Sequence, residues 1–481
     1  MPPLRLDVRS CERARHARDA RFDGLFYTAV TTTGIYCRPV CPAPAARTRN
    51  VRYYASAAAA AAAGFRPCLR CRPEAAPGSP LHAARRGLVG AALAMIEDGA
   101  LDRAGLPALA ARIGVGERHL RRLFVQELGA APVEVAATRR LLFAKQLVDQ
   151  TALPLAQVAL AAGYASTRRF NAAFVASYGK PPRELRRARD ASADGAALVL
   201  RLPYRAPYDF AQLLAFLARR AIPQVEQVSA QAYRRSIEVN GVAGWFEVSQ
   251  GEHDTLALRV HHPAPAALGA IVTRVRRMFD VDADPRAIAQ VLQRDRRLRD
   301  LQRRWPGQRL PGAWDGFETA VRAVLGQQVS VAAASTLAAR IAAAWGIPCA
   351  DAATSGIERL FPAPAALVEA PLEHLGVTRA RAATIRGLAR ALLDGRIDFS
   401  GGQALDAFER ALVALPGIGA WTAHYIAMRA LGQPDALPAA DLVLRRAAGQ
   451  GRIVSARELE AMSQSWRPWR AYAVMLLWRA S

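Results

Sequence analysis

The stretch that decides the reading of this chain is Leu415-Pro-Gly-Ile-Gly-Ala-Trp-Thr-Ala-His-Tyr425, followed by Pro434-Asp-Ala-Leu-Pro-Ala-Ala-Asp-Leu-Val-Leu-Arg-Arg446. The surrounding pattern is helical and broken by Pro and Gly, so Pro416 opens a tight hairpin between two helices. Gly417 and Gly419 leave the backbone bare there. Amides at the start of the second helix can then approach a phosphate. Such a hairpin alone marks many DNA-binding proteins that are not enzymes. Asp441 stands 22 residues after Gly419. A carboxylate near a phosphate-gripping turn can oppose positive charge that develops on a bound nucleic acid and orient water.

Outward from this stretch, the bulk numbers point the same way. The 481 residues carry 65 basic and 40 acidic side chains, a formal charge of +25. A length of this order implies three or four domains. The excess is spread along the chain: +8 over residues 1–80, +7 over 81–195 and +10 over 196–481. Only Lys145 and Lys180 are lysines, so a compositional preference for Arg is evident. That preference explains Arg over Lys but not why acids fail to balance the arginines. A polyanionic partner, a nucleic acid, accounts for the imbalance. Arg5, Arg9, Arg13 and Arg15 interrupt any signal-peptide core, and no run of 18 apolar residues occurs. The expectation is a soluble cytoplasmic protein with no membrane partner, whose six cysteines are not disulfides.

The fold class expected is multidomain α+β, mainly α. Pro73–Pro80 and Arg189–Gly195 read as linkers, and residues 82–187 as helices with short turns. Ala197–Leu202, Ala232–Val239, Gly244–Val248 and Leu256–His261 read as strands, and Phe210–Arg220 as an amphipathic helix. From about Asp284 the pattern is helical to the end. The expected domains are 1–78, 82–190, 196–282 and 283–481.

Residues 198–481, with LPYRAPYDFAQLLAFLARRAIPQVE at the start and LPGAWDGFETAVRAVLGQQVS from Leu310, resemble AlkA-type 3-methyladenine DNA glycosylase II. The resemblance implies a small β-rich N-terminal domain and a helix-hairpin-helix glycosylase domain. It makes Asp441 the catalytic carboxylate and puts Trp421, Tyr425 and Trp478 in the pocket for the flipped base, with Phe216 as a further candidate. Electron-rich rings suit a cationic alkylated purine. Gln327 or Gln328 is expected to fill the gap left in the duplex. No lysine follows Lys180, so Schiff-base lyase chemistry is not expected and the enzyme should only hydrolyse the N-glycosidic bond. Only Cys349 lies in this half, so no iron–sulfur cluster is expected.

At the other end, Cys37-x3-Cys41 and Cys68-x2-Cys71 have spacings that suit one tetrahedral Zn(II). Cys11 and Cys349 are left over and read as inert. The surrounding TTGIYCRPVCPA, RNVRYY and AAGFRPCLRCRPE resemble the N-terminal domain of Ada-type alkylation-response proteins. The resemblance implies a structural zinc and makes Cys37 a nucleophile that accepts a methyl group from a methylated DNA phosphate, once per molecule. A zinc thiolate remains ionised at neutral pH yet nucleophilic. Losing one negative charge beside phosphates would then favour DNA binding. The chain departs from the family in having PAPAA between Cys41 and Arg47, so DNA contact there falls to Arg47, Arg49, Arg52, Arg66 and Arg70. A purely structural zinc is the alternative.

Between these ends lie two helix-turn-helix units. The first runs from Leu106 through Gly114 to GERHLRRLFVQELG, with Leu120, Leu123, Phe124 and Leu128 as its buried face. Arg118, His119, Arg121 and Arg122 are left for the major groove. The second runs from Leu155 to ASTRRFNAAFVASYGKPPREL. Phe170 and Phe174 form its core pair, and Ser166, Thr167, Arg168, Arg169 and Asn171 are available to DNA. The pair resembles the AraC-type DNA-binding domain, with Pro181 where Ser or Thr usually stands. Joined to the zinc domain, it implies a damage-responsive activator that reads a promoter and works with RNA polymerase. The competing reading is a damage-responsive regulator whose glycosylase module is inactive. Direct reversal of O6-methylguanine is not expected, because no Pro-Cys-His-Arg sequence occurs.

Overall fold

The structure is a computed structural model that describes residues 7–78, 87–186, 198–349, 355–400 and 403–481. The linker expected at Arg189–Gly195 lies outside the described residues, as do Ser79 and Pro80 of the first linker. The chain forms two compact units. One comprises Met1–Arg205, Gly251–Thr273 and Val281–Ala283; the other comprises Ala206–Gln250, Arg274–Asp280 and Asp284–Ser481.

The first unit opens with the helix Val8–Ala17, whose first amides are capped by Asp7. A four-stranded sheet follows, built from β1 (Tyr27–Val30), β2 (Ile35–Cys37), β3 (Val51–Tyr54) and β4 (Arg66–Pro67), in the order β3-β1-β2-β4. The helix Ala57–Ala62, capped by Ser56, has four buried alanines. Ala57 and Ala60 pack on Tyr27, Ala29 and Tyr36, since small side chains let a helix lie close to a sheet. β2 runs parallel to β4 with Tyr36 opposite Pro67, so the next residues, Cys37 and Cys68, come side by side.

The helical region then holds both expected helix-turn-helix units. Leu106–Ile113 ends at Gly114, which adopts φ +78°, and Glu117–Leu128 follows. Leu120, Phe124 and Leu128 are buried with Leu93, Ile96 and Leu109. A long helix, Pro132–Gln150, leads to Leu155–Ala161 and Thr167–Tyr178. On the last, the rings of Phe170 and Phe174 lie 4.8 Å apart in the core. This unit also contains the antiparallel pair Leu198–Pro203 and Thr255–His261.

In the second unit the helix Phe210–Ala218, capped by Asp209, stops two residues short of the expected Arg220. Strands Glu226–Val228, Ala232–Val239 and Val242–Gln250 form an antiparallel meander. The last is longer than the expected Gly244–Val248, because its register against Ala232–Val239 continues to the turn. The helix Gly316–Leu325 is buried along most of its length and packs against Ala420–Ala430. Glu318 on it meets Arg235 at 2.7 Å and Arg322 at 3.0 Å, while Arg322 reaches Glu226 at 3.1 Å. A fully hydrogen-bonded ionic cluster of this kind satisfies the charges that the helix buries.

Candidate active site and metal centre

The hairpin is built by two helices, Leu405–Val413 and Ala420–Ala430. Gly417 has φ +87°, and a Cβ added there would stand 2.0 Å from Thr384 Oγ1. Only glycine fits this position. The Thr384 hydroxyl donates to Pro416 C=O at 3.1 Å and so holds the turn from behind. Gly419 has open space around its Cβ position and caps the Ala420–Ala430 helix, leaving that helix start bare.

Asp441 sits at the N-cap of the helix Leu442–Ala448, where Oδ1 accepts from Leu444 N–H at 2.7 Å. Its two oxygens also accept from two indoles. Trp478 Nε1 donates to Oδ1 and Trp421 Nε1 to Oδ2, both at 3.1 Å. The carboxylate is therefore held by three N–H donors, and the residue is partly exposed. Trp421 stacks on Tyr425, with centroids 5.6 Å apart and planes 10° apart. Trp478 lies 6.3 Å from Tyr425. The three aromatic residues named from the sequence are thus brought together around Asp441.

Phe216 is buried beside them, with the guanidiniums of Arg220 and Arg429 at 3.8 and 4.8 Å from its ring centroid. Arg429 also donates to the Tyr425 hydroxyl at 3.0 Å. Burial alone would raise the Tyr425 phenol, but Arg429, Arg220 and Arg322 outweigh it and bring it down to about 8. Sequence reasoning missed this arginine group. Arg429 is one helical turn from Tyr425, but Arg220 and Arg322 come from other elements.

The two glutamines differ. Gln327 is tied down: its side-chain amide donates to Gly417 C=O at 2.9 Å and to Thr422 Oγ1 at 3.1 Å, and Arg381 donates to its backbone C=O. Gln328 is exposed and holds φ +55°.

The Sγ atoms of Cys37, Cys41, Cys68 and Cys71 lie within 4.8 Å of one another. Four sulfurs at about 2.3 Å from Zn(II) would stand about 3.8 Å apart, so the donor set fits a tetrahedral thiophilic ion. Cys37 and Cys41 are partly exposed, whereas Cys68 and Cys71 are buried. A clasp not anticipated from the sequence surrounds them. Arg38 N–H donates to Cys71 Sγ at 3.3 Å, its guanidinium to Cys71 C=O at 3.0 Å, and the same guanidinium pairs with buried Asp23. A cleft of about 780 Å³ is lined by Cys37, Arg66, Arg70, Thr33 and Tyr178 among others. Arg47, Arg49 and Arg52 are exposed. Cys11 and Cys349 are buried, and burial pushes the Cys11 thiol up to about 11.

On the helix-turn-helix units, Arg118, Arg121, Arg122, Arg168 and Arg169 are all exposed. Arg121 pairs with Glu117 at 3.0 Å, and Arg122 meets His119 Nδ1 at 3.0 Å. No helix among the described residues is long and apolar enough to cross a membrane.

Comparison with known proteins agrees with this layout. Four family models match: the metal binding domain of Ada over residues 10–74, a helix-turn-helix domain over 109–188, the AlkA N-terminal domain over 199–315, and the HhH-GPD superfamily of base excision DNA repair proteins over 321–471. A protein of Mycobacterium tuberculosis (strain ATCC 25618 / H37Rv) named "Probable bifunctional transcriptional activator/DNA repair enzyme AlkA" is 42% identical, over 98% of this chain and 96% of that protein. DNA-3-methyladenine glycosylase 2 of Escherichia coli (strain K12) is 33% identical, over 58% of this chain and 95% of its own length. Among solved structures, a 3-methyladenine DNA-glycosylase from Archaeoglobus fulgidus superposes with a TM-score of 0.52 at 22% identity, covering 58% of this chain and 97% of that one. That likeness establishes the glycosylase fold. With matching domains in sequence and 42% identity across nearly its whole length, the chain belongs to the family of bifunctional transcriptional activator/DNA repair enzymes of the AlkA type.

Proposed function

We propose that the chain excises alkylated bases such as 3-methyladenine from double-stranded DNA, and that its N-terminal part senses the same damage and activates transcription. The observation that carries the enzymatic reading is the Asp441 carboxylate, held by Trp421 and Trp478 beside the stacked Trp421–Tyr425 pair. In this reading the flipped base enters among Trp421, Tyr425 and Trp478, with Phe216 behind them. Asp441 faces C1′, opposes the positive charge that develops there and orients the attacking water. The amides beside Gly417 and Gly419 grip a phosphate of the lesion strand. Gln328, exposed at positive φ, fills the gap in the duplex, while Gln327 braces the hairpin. Strained, exposed positions of this kind are common at sites that reorganise a ligand. Catalysis is hydrolytic only.

The proposed modules are residues 1–78, 82–190, 196–282 and 283–481. In the first, Cys37, Cys41, Cys68 and Cys71 would hold one Zn(II), which when bound keeps the sulfurs ionised at neutral pH. Cys37 Sγ, in the cleft with Arg66 and Arg70, attacks the methyl carbon of a phosphotriester. The S–C bond forms, the C–O bond breaks, and an ordinary phosphodiester leaves. Arg118, Arg121, Arg122, Arg168 and Arg169 then engage a promoter, with RNA polymerase as partner.

Duplex containing 3-methyladenine should yield free base with wild type and not with Asp441→Asn. If wild type releases no base while binding the DNA, the enzymatic reading fails. Mass spectrometry after exposure to methylphosphotriester DNA should find one methyl on Cys37. Zinc retained without that methyl would leave the metal site purely structural.

A further inference from the structure

Asp441 is fixed by its backbone as well as by its side chain, and the backbone route leads to His424. Asp441 N–H donates to Pro438 C=O at 2.9 Å, and Ala439 N–H to Leu437 C=O at 2.8 Å. The segment from Leu437 to Asp441 is thus a run of tight turns hung on Leu437. Leu437 N–H in turn donates to His424 Nδ1 at 3.2 Å. The other ring nitrogen, Nε2, lies 3.3 Å from Glu409 Oε2. An N–H arriving at Nδ1 and a carboxylate at Nε2 select one tautomer, a neutral ring with its proton on Nε2. His424 stands on the Ala420–Ala430 helix, between Trp421 and Tyr425. Its ring therefore ties the helix that carries the aromatic pocket to the turn that carries the carboxylate. The chain just before that turn is clamped separately, by Arg470 Nε donating to Asp435 Oδ1 at 3.0 Å.

We propose that His424 is a positioning residue for base excision: its neutral Nδ1 holds Leu437 and thereby sets the place of Asp441, and proton uptake by the ring releases that hold. This rests on the reading of Asp441 as the catalytic carboxylate. A protonated imidazole donates from both nitrogens, so Nδ1–H would face Leu437 N–H, donor against donor. The charged groups facing the ring are Glu409 and Asp406 on the Leu405–Val413 helix and Arg470 at the start of the helix Arg470–Arg479. Burial and Arg470 oppose the charged ring and the two acids favour it; the balance holds His424 below the ordinary histidine range. The acceptor is present at neutral pH and is lost on acidification.

The test is single-turnover base release by the full chain, on duplex with one alkylated base, from about pH 5 to pH 8, across the histidine range. His424→Ala should slow release at neutral pH by roughly one to two orders of magnitude with DNA affinity kept, the effect of a misplacement of about 1 Å. His424→Asn carries an amide oxygen that accepts the same N–H at every pH. It should restore most of the rate and abolish the part of the acid-side fall that the ring causes. If His424→Ala fails to fold, the pH profiles of wild type and His424→Asn decide alone. An unchanged rate in His424→Ala overturns the proposal, and so does an acid limb in His424→Asn that coincides with wild type. Wild type is the control: no base release from it would sink the reading of Asp441, whereas active wild type with unaffected variants would sink only the role of His424.

Discussion

Replacing Asp441 with Asn separates charge from shape. Asparagine caps a helix as well as aspartate does, so the Leu442–Ala448 helix should keep its first turn. Three donors, however, converge on the present carboxylate, with Leu444 N–H and Trp478 Nε1 on Oδ1 and Trp421 Nε1 on Oδ2. An amide has one acceptor oxygen. That oxygen serves the pair at Oδ1, and the NH2 group is left facing the Trp421 indole N–H. A donor deprived of its acceptor costs about 1–3 kcal/mol, and Trp421 is only partly buried, so the lower end applies. In a unit of this size, ~1 kcal/mol lowers Tm by about 2–4 °C. The catalytic loss is larger. A unit charge about 4 Å from a cationic sugar carbon, at an effective dielectric near 20, is worth ~4 kcal/mol. That corresponds to roughly a 10³-fold fall in rate. The assay is single-turnover base release, with melting curves and fluorescence-anisotropy DNA titrations on the same preparations. A folded Asp441→Asn protein that binds DNA and retains a rate within about tenfold of wild type would refute the electrostatic argument.

The hairpin glycines should part company. Gly417→Ala forces Cβ against Thr384 at positive φ and should lower both Tm and DNA affinity, whereas Gly419→Ala, with open space and φ −96°, should leave Tm unchanged and weaken only DNA binding. Tyr425 carries a pH signature: with its folded value near 8 against an ordinary value of about 10, the unfolded chain binds more protons between them, so stability gained from Tyr425 rises with pH across that window. Tyr425→Phe should therefore lose ground against wild type in denaturant titrations run above about pH 8, and parallel curves would contradict the arginine argument. Chelation, or Cys68→Ser, should destabilise the β1–β4 sheet against proteolysis while sparing base release by the C-terminal half; an unchanged cleavage pattern would deny the metal a structural role. Arg168→Ala with Arg169→Ala should reduce promoter affinity and flatten its salt dependence by about two units of slope at most, read from binding isotherms at several salt concentrations.

Much of this protein is written locally. The pattern around Leu415–Tyr425 fixes a hairpin because Pro416 and Gly417 dictate backbone angles within a few residues. The two cysteine pairs mark a metal site because ligand spacing is itself local. The helix-turn-helix cores follow from Leu120, Phe124, Phe170 and Phe174 at helical spacing, and Asp441 stood out as a candidate because the family that this segment resembles places a carboxylate at that distance from the hairpin. The tertiary structure decided what distant residues do together. It brought Trp421 and Trp478, 20 and 37 residues from Asp441, onto its two oxygens. It tied Gln327 to the hairpin and left Gln328 exposed, although the two are adjacent and chemically identical. It set Arg220, Arg322 and Arg429 around Tyr425, and Arg38 with Asp23 around Cys71. Pattern and propensity report what a residue does to its own backbone and face. Hydrogen bonds and charge effects depend on separations of a few ångströms between segments far apart in sequence, and those separations exist only once the chain has packed.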